Sequence, residues 1–336
     1  MIFPLSHLLF FISLVLGSFL TISSSSWLGA WIGLELNLLS FIPLISSSSN
    51  PYYSETALKY FLIQASASTI IIISSSIQLF NNSVYPFIIL LSLLIKLGAA
   101  PFHFWFPHIM EGLSWGQSAI LLSIQKLAPF MIISFINLFN HLTFFIIVSR
   151  ALSAIAGSLG GFNSLKLRKL IAYSSINHIS WILLTLILRE SLFFLYYFFY
   201  IIISFSIIFS FSYLRTFHIS NLFNFNSKNS FHYFIIPLSF ISLGGLPPLR
   251  GFIPKWLVAQ LLIQNEIYSI ILILFGCTLV TLFFYIRISI PFLIRFLPSS
   301  IIVLKNTKFN FKTFLTLTLF IFNILRFIFP IPFILL

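Results

Sequence analysis

The chain has 336 residues, of which 59% are hydrophobic and 7% charged, with a mean hydropathy of +1.09. Soluble domains carry about 25% charged residues, so this composition cannot cover a globular surface in water and describes a polytopic membrane protein. The formal charge of +13 is reached with no Asp and a single cysteine, Cys277. Aspartate-based triads, Walker B carboxylates, EF-hands, intrachain disulfides and multi-thiolate centres are therefore excluded.

In chain order, apolar stretches predict helical spans over 3–22, 27–45, 57–78, 84–107, 117–137, 142–162, 168–188, 191–214, 233–265, 267–296 and 312–334. The fold class is all-α, with about eleven transmembrane helices. The first span lacks a basic flank and a small-residue cleavage site, so it reads as a retained helix rather than a signal peptide. Trp27 and Trp31 open the second span in the manner of an interfacial belt. Serine runs at 23–26 and 46–49 belong to loops, while Ser74 to Ser76 lie near a helix end and can return their hydroxyls to the backbone. Every loop is short, which makes residues 1–336 one membrane domain. The 44 Phe, with abundant Ile, Asn and Tyr, resemble the product of an AT-rich genome and favour synthesis inside an organelle over a bacterium.

The basic residues are not spread over a polar domain, and nucleic acid is not an expected partner. Lys166, Arg168, Lys169, Arg215, Lys228, Arg287, Arg295, Lys305, Lys308 and Lys312 lie in or beside three stretches that eleven spans place on one side. The other side holds Asn81, Asn82, His141, the Arg189–Glu190 pair and Glu266. The positive-inside bias assigns the basic side to the matrix, with the N-terminus there and the C-terminus in the intermembrane space. Such loops also attract anionic phospholipid, with cardiolipin the expected species.

Lys96-Leu-Gly-Ala-Ala-Pro-Phe-His-Phe-Trp-Phe-Pro107 and Gly244-Gly-Leu-Pro-Pro-Leu-Arg-Gly-Phe-Ile-Pro-Lys-Trp256 are alike in kind. Each is an apolar span interrupted by helix breakers: Gly98 and Pro101 in one, Gly244, Gly245, Pro247, Pro248 and Pro254 in the other. Each also carries one lysine. Unwound backbone survives at membrane depth only when shielded from lipid, and paired broken helices mark ion pathways in transporter folds built from inverted repeats. The bland alternative is two proline-kinked helices with no transport role.

Five titratable residues fall near the centres of five predicted spans: Glu35, Lys96, Lys126, His178 and Lys255. A helix rises about 1.5 Å per residue, so this common depth implies a row parallel to the membrane plane. Each charge costs roughly 2.5–3.5 kcal/mol at mid-bilayer, so such residues must face one another or a hydrated interior. Groups balanced between desolvation and a neighbouring charge can change protonation when that neighbour changes, as a proton relay requires. Static ion pairing between helices is the alternative for Glu35, and an interior hydrogen-bonded histidine is the alternative for His178. His103 and His108 flank Pro107 without metal-ligand spacing, and read as helix-end packing. Arg150 and Arg326 sit inside spans with no acidic partner nearby in sequence. No nucleotide loop, nucleophile–base motif, metal site or haem-spaced histidine pair is present, so no catalytic, cofactor or metal residue is assigned.

Several strings in order resemble one family. They are Trp27-Leu-Gly-Ala-Trp-Ile-Gly-Leu-Glu-Leu-Asn37, Glu55-Thr-Ala-Leu-Lys-Tyr-Phe61, the Lys96–Trp105 segment and Gln125-Lys-Leu-Ala-Pro129. Leu167-Arg-Lys-Leu-Ile-Ala-Tyr-Ser-Ser-Ile-Asn-His178, Leu243-Gly-Gly-Leu-Pro-Pro-Leu249 and Gly251-Phe-Ile-Pro-Lys-Trp256 complete the set. From about residue 27 to 290 the chain resembles the antiporter-like subunit 2 family of animal mitochondrial NADH:ubiquinone oxidoreductase, complex I. The resemblance implies eleven helices, two of them interrupted, with three N-terminal helices of the bacterial form lost. It implies a hydrophilic axis of Glu35, Lys96, Lys126 and Lys255 that translocates protons in the inner membrane. The implied partners are other membrane-arm subunits, with NADH, FMN, Fe–S clusters and ubiquinone handled by partner subunits and no redox centre on this chain. Arg250, Ser180 and Arg150 depart from the family pattern. An independent cation/proton antiporter and a purely structural membrane scaffold are the competing readings.

Overall fold

The structure, a computed structural model, describes residues 5–46, 51–78, 84–136, 142–223, 231–247 and 249–299. Asn81, Asn82, His141, Lys228, Pro248, Lys305, Lys308, Lys312, Arg326, the side chain of Arg295 and the predicted span 312–334 lie outside these. The described elements are all helical: α1 (Leu5–Ser23), α2 (Trp27–Ser46), α3 (Pro51–Ile77), α4 (Tyr85–Leu97), α5 (Trp105–Gly112), α6 (Trp115–Leu122) and α7 (Ile124–Ile136). These are followed by α8 (Thr143–Phe162), α9 (Leu167–Leu188), α10 (Glu190–Leu214), α11 (Ile219–Phe223), α12 (Phe231–Gly244), α13 (Phe252–Gln264) and α14 (Tyr268–Ser299). Helices satisfy their own backbone amides, the condition for crossing a bilayer. Eight helical stretches among the described residues are long and apolar enough to cross, with α6 and α7 counted together. Helical serines return their hydroxyls to the carbonyl three residues back, as Ser74 does to Ile71 at 2.6 Å and Ser76 to Ile73 at 2.7 Å. This disposes of the hydroxyl without a partner helix.

The chain forms two compact units, Met1–Ser153 and Ala154–Leu336. In the first, α1 and α2 cross where each presents glycine. A Cβ built on Gly33 would stand 2.8 Å from the carbonyl oxygen of Gly17, and one on Gly17 would stand 2.9 Å from that of Gly33. Small residues permit such backbone contact, which is how helices associate where apolar lipid supplies no hydrophobic drive. In the second unit α9 is the centre, and every residue from Ser174 to Leu186 is buried. A helix buried on all faces has no preferred apolar side, consistent with the lack of amphipathic pattern in its sequence. Gly157 of α8 lets α9 approach, since a Cβ there would stand 2.6 Å from the Asn177 amide nitrogen.

Three predicted spans are interrupted among the described residues, where the sequence indicates two. The span 84–107 divides into α4 and α5, and 233–265 into α12 and α13, both at the expected glycines. The span 117–137 also divides, at Ser123 (φ −108°, ψ −88°) between α6 and α7. No Gly or Pro announces this third break. The Ser123 hydroxyl and amide both bond to the Ala119 carbonyl, at 2.7 and 3.2 Å, and the bonding pattern shifts there.

Candidate functional site

In the first unit, α4 ends at Gly98, which adopts the left-handed conformation (φ 68°) available cheaply only to glycine. The Gly98 and Ala99 amides bond back to the Ile95 and Leu94 carbonyls, both at 3.1 Å. The Ala100–Pro101 peptide is cis, and the chain resumes as α5. Helix ends leave carbonyls without partners, and inside a membrane these must be met by protein. The Trp105 indole donates to the Ile95 carbonyl at 3.0 Å, and the Gln64 amide to the Lys96 carbonyl at 3.4 Å. Gly98 thus makes the turn possible.

Lys96 and Lys126 are both buried. The Lys126 ammonium lies 4.5 Å from the centroid of the Phe106 ring, a cation–π arrangement, and the same ring packs beneath Gly98. The two lysines border one small cavity together with Asn37, Tyr60, Gln64 and Gln125, and its space is sufficient to admit water. The Tyr60 hydroxyl donates to Gln125 Oε1 at 3.2 Å, and Gln125 Nε2 donates to the Asn37 carbonyl at 3.3 Å. Glu35 lies on α2 within electrostatic range of both Tyr60 and Lys96. Its Oε2 is buried without a hydrogen-bond partner, and Glu35 forms no ion pair among the described residues. A static Glu35–lysine salt bridge is thus not what holds this unit together.

In the second unit, α12 ends at Gly244 and Gly245, with Gly245 in the left-handed region (φ 82°) and its amide bonded to the Ile241 and Ser242 carbonyls. Lys255, buried on α13, reaches back to donate to the Gly244 carbonyl at 2.8 Å and the Leu243 carbonyl at 3.2 Å. Its charge meets the negative end of the α12 dipole. Glycine is required twice here. A Cβ on Gly245 would stand 2.8 Å from Lys255 Cδ, and one on Gly251 would stand 1.6 Å from the Ser242 carbonyl oxygen. Pro247 and Pro254 flank these turns, Pro254 buried within α13.

His178, buried on α9, hydrogen-bonds through Nδ1 with the Tyr196 hydroxyl at 3.0 Å, and its ring lies 5.3 Å from that of Tyr200. Tyr196, Tyr197, Tyr200 and Tyr285 are all buried. Trp181 stacks on Tyr196 and lies under the Lys255 ammonium at 5.9 Å. His178 and Lys255 therefore share the Trp181–Tyr196 neighbourhood.

Glu35, Lys96 and Lys126 thus gather in the first unit, and His178 and Lys255 in the second. Sequence reading missed the neutral polar groups, namely Tyr60, Gln64 and Gln125 in one unit and the tyrosines in the other. Tyr196 and Tyr200 stand four residues apart on one helix face, but tyrosines are common here and the spacing alone does not single them out. The His103 ring lies 4.2 Å from that of its neighbour Phe104 and tilted to it, His108 is exposed on α5, and no group of three potential metal ligands occurs among the described residues. Ser180 bonds to the Asn177 carbonyl at 2.6 Å, and Arg250 is buried beside the second break. Arg150 is 3% exposed, and its side chain makes no hydrogen bond or ion pair among the described residues.

Lysines placed against interrupted helices define a class, the antiporter-like membrane subunits. The fold is similar to chains in solved assemblies of that class. One, from respiratory complex I of Thermus thermophilus with bound aureothin, superposes with a TM-score of 0.82 at 20% identity, covering 95% of this chain and 77% of that one. A chain of the Mrp complex from Dietzia sp. gives a TM-score of 0.70 at 16% identity, covering 83% and 59%. Residues 72–283 match the family described as NADH:quinone oxidoreductase/Mrp antiporter, transmembrane. The NADH-ubiquinone oxidoreductase chain 2 of Anopheles gambiae is 44% identical over 92% of both chains, and that of Didelphis virginiana is 36% identical over 90% of this chain and 88% of its own. The chain belongs to the NADH-ubiquinone oxidoreductase chain 2 family.

Proposed function

We propose that this chain is a membrane-arm, proton-translocating subunit of NADH:ubiquinone oxidoreductase in the mitochondrial inner membrane. The observation that carries the mechanism is that each of the three buried lysines stands at a helix interruption. Lys96 closes α4, Lys126 follows the Ser123 break, and Lys255 caps α12. An ammonium held by carbonyl oxygens, a ring face and water-sized space has soft partners that can adapt when it loses its proton. A carboxylate in a tight ion pair would hold that proton firmly. In this reading Glu35 modulates Lys96, Lys126 exchanges protons with the cavity beside Gln125, and His178 and Lys255 perform the equivalent exchange in the second unit. Redox chemistry with NADH, flavin, Fe–S clusters and ubiquinone belongs to partner subunits, and energy reaches these lysines through the assembly. The basic loops face the matrix and bind phospholipid.

The likeness to an Mrp chain supports a second reading, an independent cation/proton antiporter. Proteoliposomes separate the two. Proton movement that requires NADH oxidation by the assembled complex is the expected result, whereas cation-driven proton exchange by the isolated chain establishes the antiporter. Undiminished pumping after neutral replacement of Lys96, Lys126 and Lys255 together would leave only a scaffold.

A further inference from the structure

Tyr60 and Gln125 border the cavity of the first unit beside Lys96 and Lys126, and the direction of their hydrogen bonds is fixed. The Asn37 carbonyl can only accept, and it receives the Ser40 hydroxyl at 3.1 Å and Gln125 Nε2 at 3.3 Å. That contact orients the Gln125 carboxamide with its nitrogen toward α2 and its oxygen toward α3. Gln125 Oε1 is also an acceptor only, so the Tyr60 hydroxyl, 3.2 Å away, must supply the hydrogen. The Tyr60 ring is held in place: it is 2% exposed, meets the Phe41 ring edge-on at 5.2 Å and lies 6.3 Å from the Trp105 ring. Tyr60, Gln125 and Asn37 thus form a chain whose donors all point one way and which ends on backbone.

A phenol has one hydrogen. With that hydrogen committed to Gln125, the Tyr60 oxygen serves the cavity as an acceptor alone. It can receive an N–H from an ammonium or an O–H from water, and it has nothing to give to a neutral amine. Among the described residues lining the cavity, Tyr60 supplies the one hydroxyl. Asn37, Gln64 and Gln125 supply carboxamides, which do not exchange protons in the range where lysine and tyrosine do. Tyr60 is therefore the one side chain there, besides the two lysines, that can both take and give a proton. We propose that Gln125 is a positioning residue that holds the Tyr60 hydroxyl as an acceptor, and so keeps Lys96 and Lys126 from exchanging protons through it out of step with the redox cycle. Released from Gln125, the hydroxyl would give its proton to the neutral lysine and take one from the protonated lysine, directly or through water. One N–H bond breaks, one forms, and Tyr60 ends unchanged. This latch rests on the reading of both lysines as proton carriers and adds the element that keeps their protons separate.

The test compares protons moved per NADH oxidised by the assembled complex in proteoliposomes. Gln125→Leu removes the acceptor, so oxidation should continue while the share of NADH oxidised without proton movement rises roughly fivefold, the population change that corresponds to one neutral hydrogen bond. Tyr60→Phe removes the hydroxyl that would short-circuit the lysines, and should slow turnover while keeping the ratio. The decisive variant is Gln125→Leu with Tyr60→Phe, in which the ratio should return to that of Tyr60→Phe. A merely structural Gln125 gives the opposite, a ratio as low as in Gln125→Leu alone or lower, and overturns the proposal. An unchanged ratio in Gln125→Leu overturns it as well. Should Gln125→Leu not assemble, Gln125→Asn, which draws the carboxamide back from Tyr60 by one methylene, is read in the same pair. Lys96→Met with Lys126→Met keeps the two conclusions apart. Pumping that survives it ends the carrier reading, whereas pumping that needs the lysines but ignores Gln125 ends the latch alone.

Discussion

The Lys255 ammonium lies 2.8 Å from the Gly244 carbonyl oxygen, so the charged residue of α13 closes the broken end of α12. The lysine and the break are thus one device. A carbonyl that lost its helical partner becomes a ligand for a charge that would otherwise be costly at this depth. Lys255→Met removes the ammonium donor and strands the carbonyls, so it should lower proton pumping and loosen the α12–α13 turn. Lys255→Arg should restore the turn but not the pumping, because a guanidinium keeps its proton when buried. Pumping stoichiometry and limited proteolysis at the turn read the two effects separately. Full pumping in the arginine variant would remove Lys255 from the proton path.

Lys126 offers the same contrast against an aromatic ring. Its ammonium faces the Phe106 ring, at 4.5 Å. Lys126→Met keeps the length and apolar bulk, so the complex should assemble yet lose most of its coupled turnover. Phe106→Leu should have a smaller effect, since a cation–π contact is worth on the order of 0.5–2 kcal/mol. NADH:quinone turnover coupled to proton movement checks both, and a larger loss for Phe106→Leu than for Lys126→Met would reverse their assigned roles.

Tyr196→Phe deletes the hydroxyl that meets His178 at 3.0 Å and leaves the stacking on Trp181 in place. One such hydrogen bond contributes about 1 kcal/mol, so assembly should survive. The expected result is a lowered proton-to-electron ratio with a normal amount of complex. An unchanged ratio would return the pair to interior packing.

Gly33→Val tests the α1–α2 crossing, where a Cβ meets the Gly17 carbonyl oxygen at 2.8 Å and the Thr21 amide nitrogen at 2.7 Å. Neither backbone can yield without separating the helices, and overpacking of this kind costs about 1–3 kcal/mol or more. The thermal midpoint of the complex, or the yield of this subunit within it, should fall. Gly116→Ala, where nothing lies within 4 Å of the new Cβ, should leave both unchanged.

The orientation is open to a direct label. Cys277 is buried and is the only cysteine of the chain, so a cysteine introduced at exposed Ser220 reports on its own peptide. An impermeant maleimide should reach it only from the matrix face. Labelling from the intermembrane space would invert the assignment made from loop charge.

Composition alone determined the class of this protein, because so little charge cannot clothe a soluble surface. Apolar run length located most of the helices, and Gly98, Gly244 and Gly245 located two breaks, because glycine is the residue that enters left-handed backbone at little cost. Ionisable residues within spans stood out for the same reason, since their burial cost keeps them rare. Tertiary structure decided what surrounds them. The Ser123 break carries no compositional mark, because a hydroxyl competing for a carbonyl resembles the many serines that do so without bending a helix. Tyr60, Gln64, Gln125 and Tyr196 are likewise inconspicuous, since a neutral polar side chain is cheap enough to occur anywhere and acquires a role only through the atom it faces.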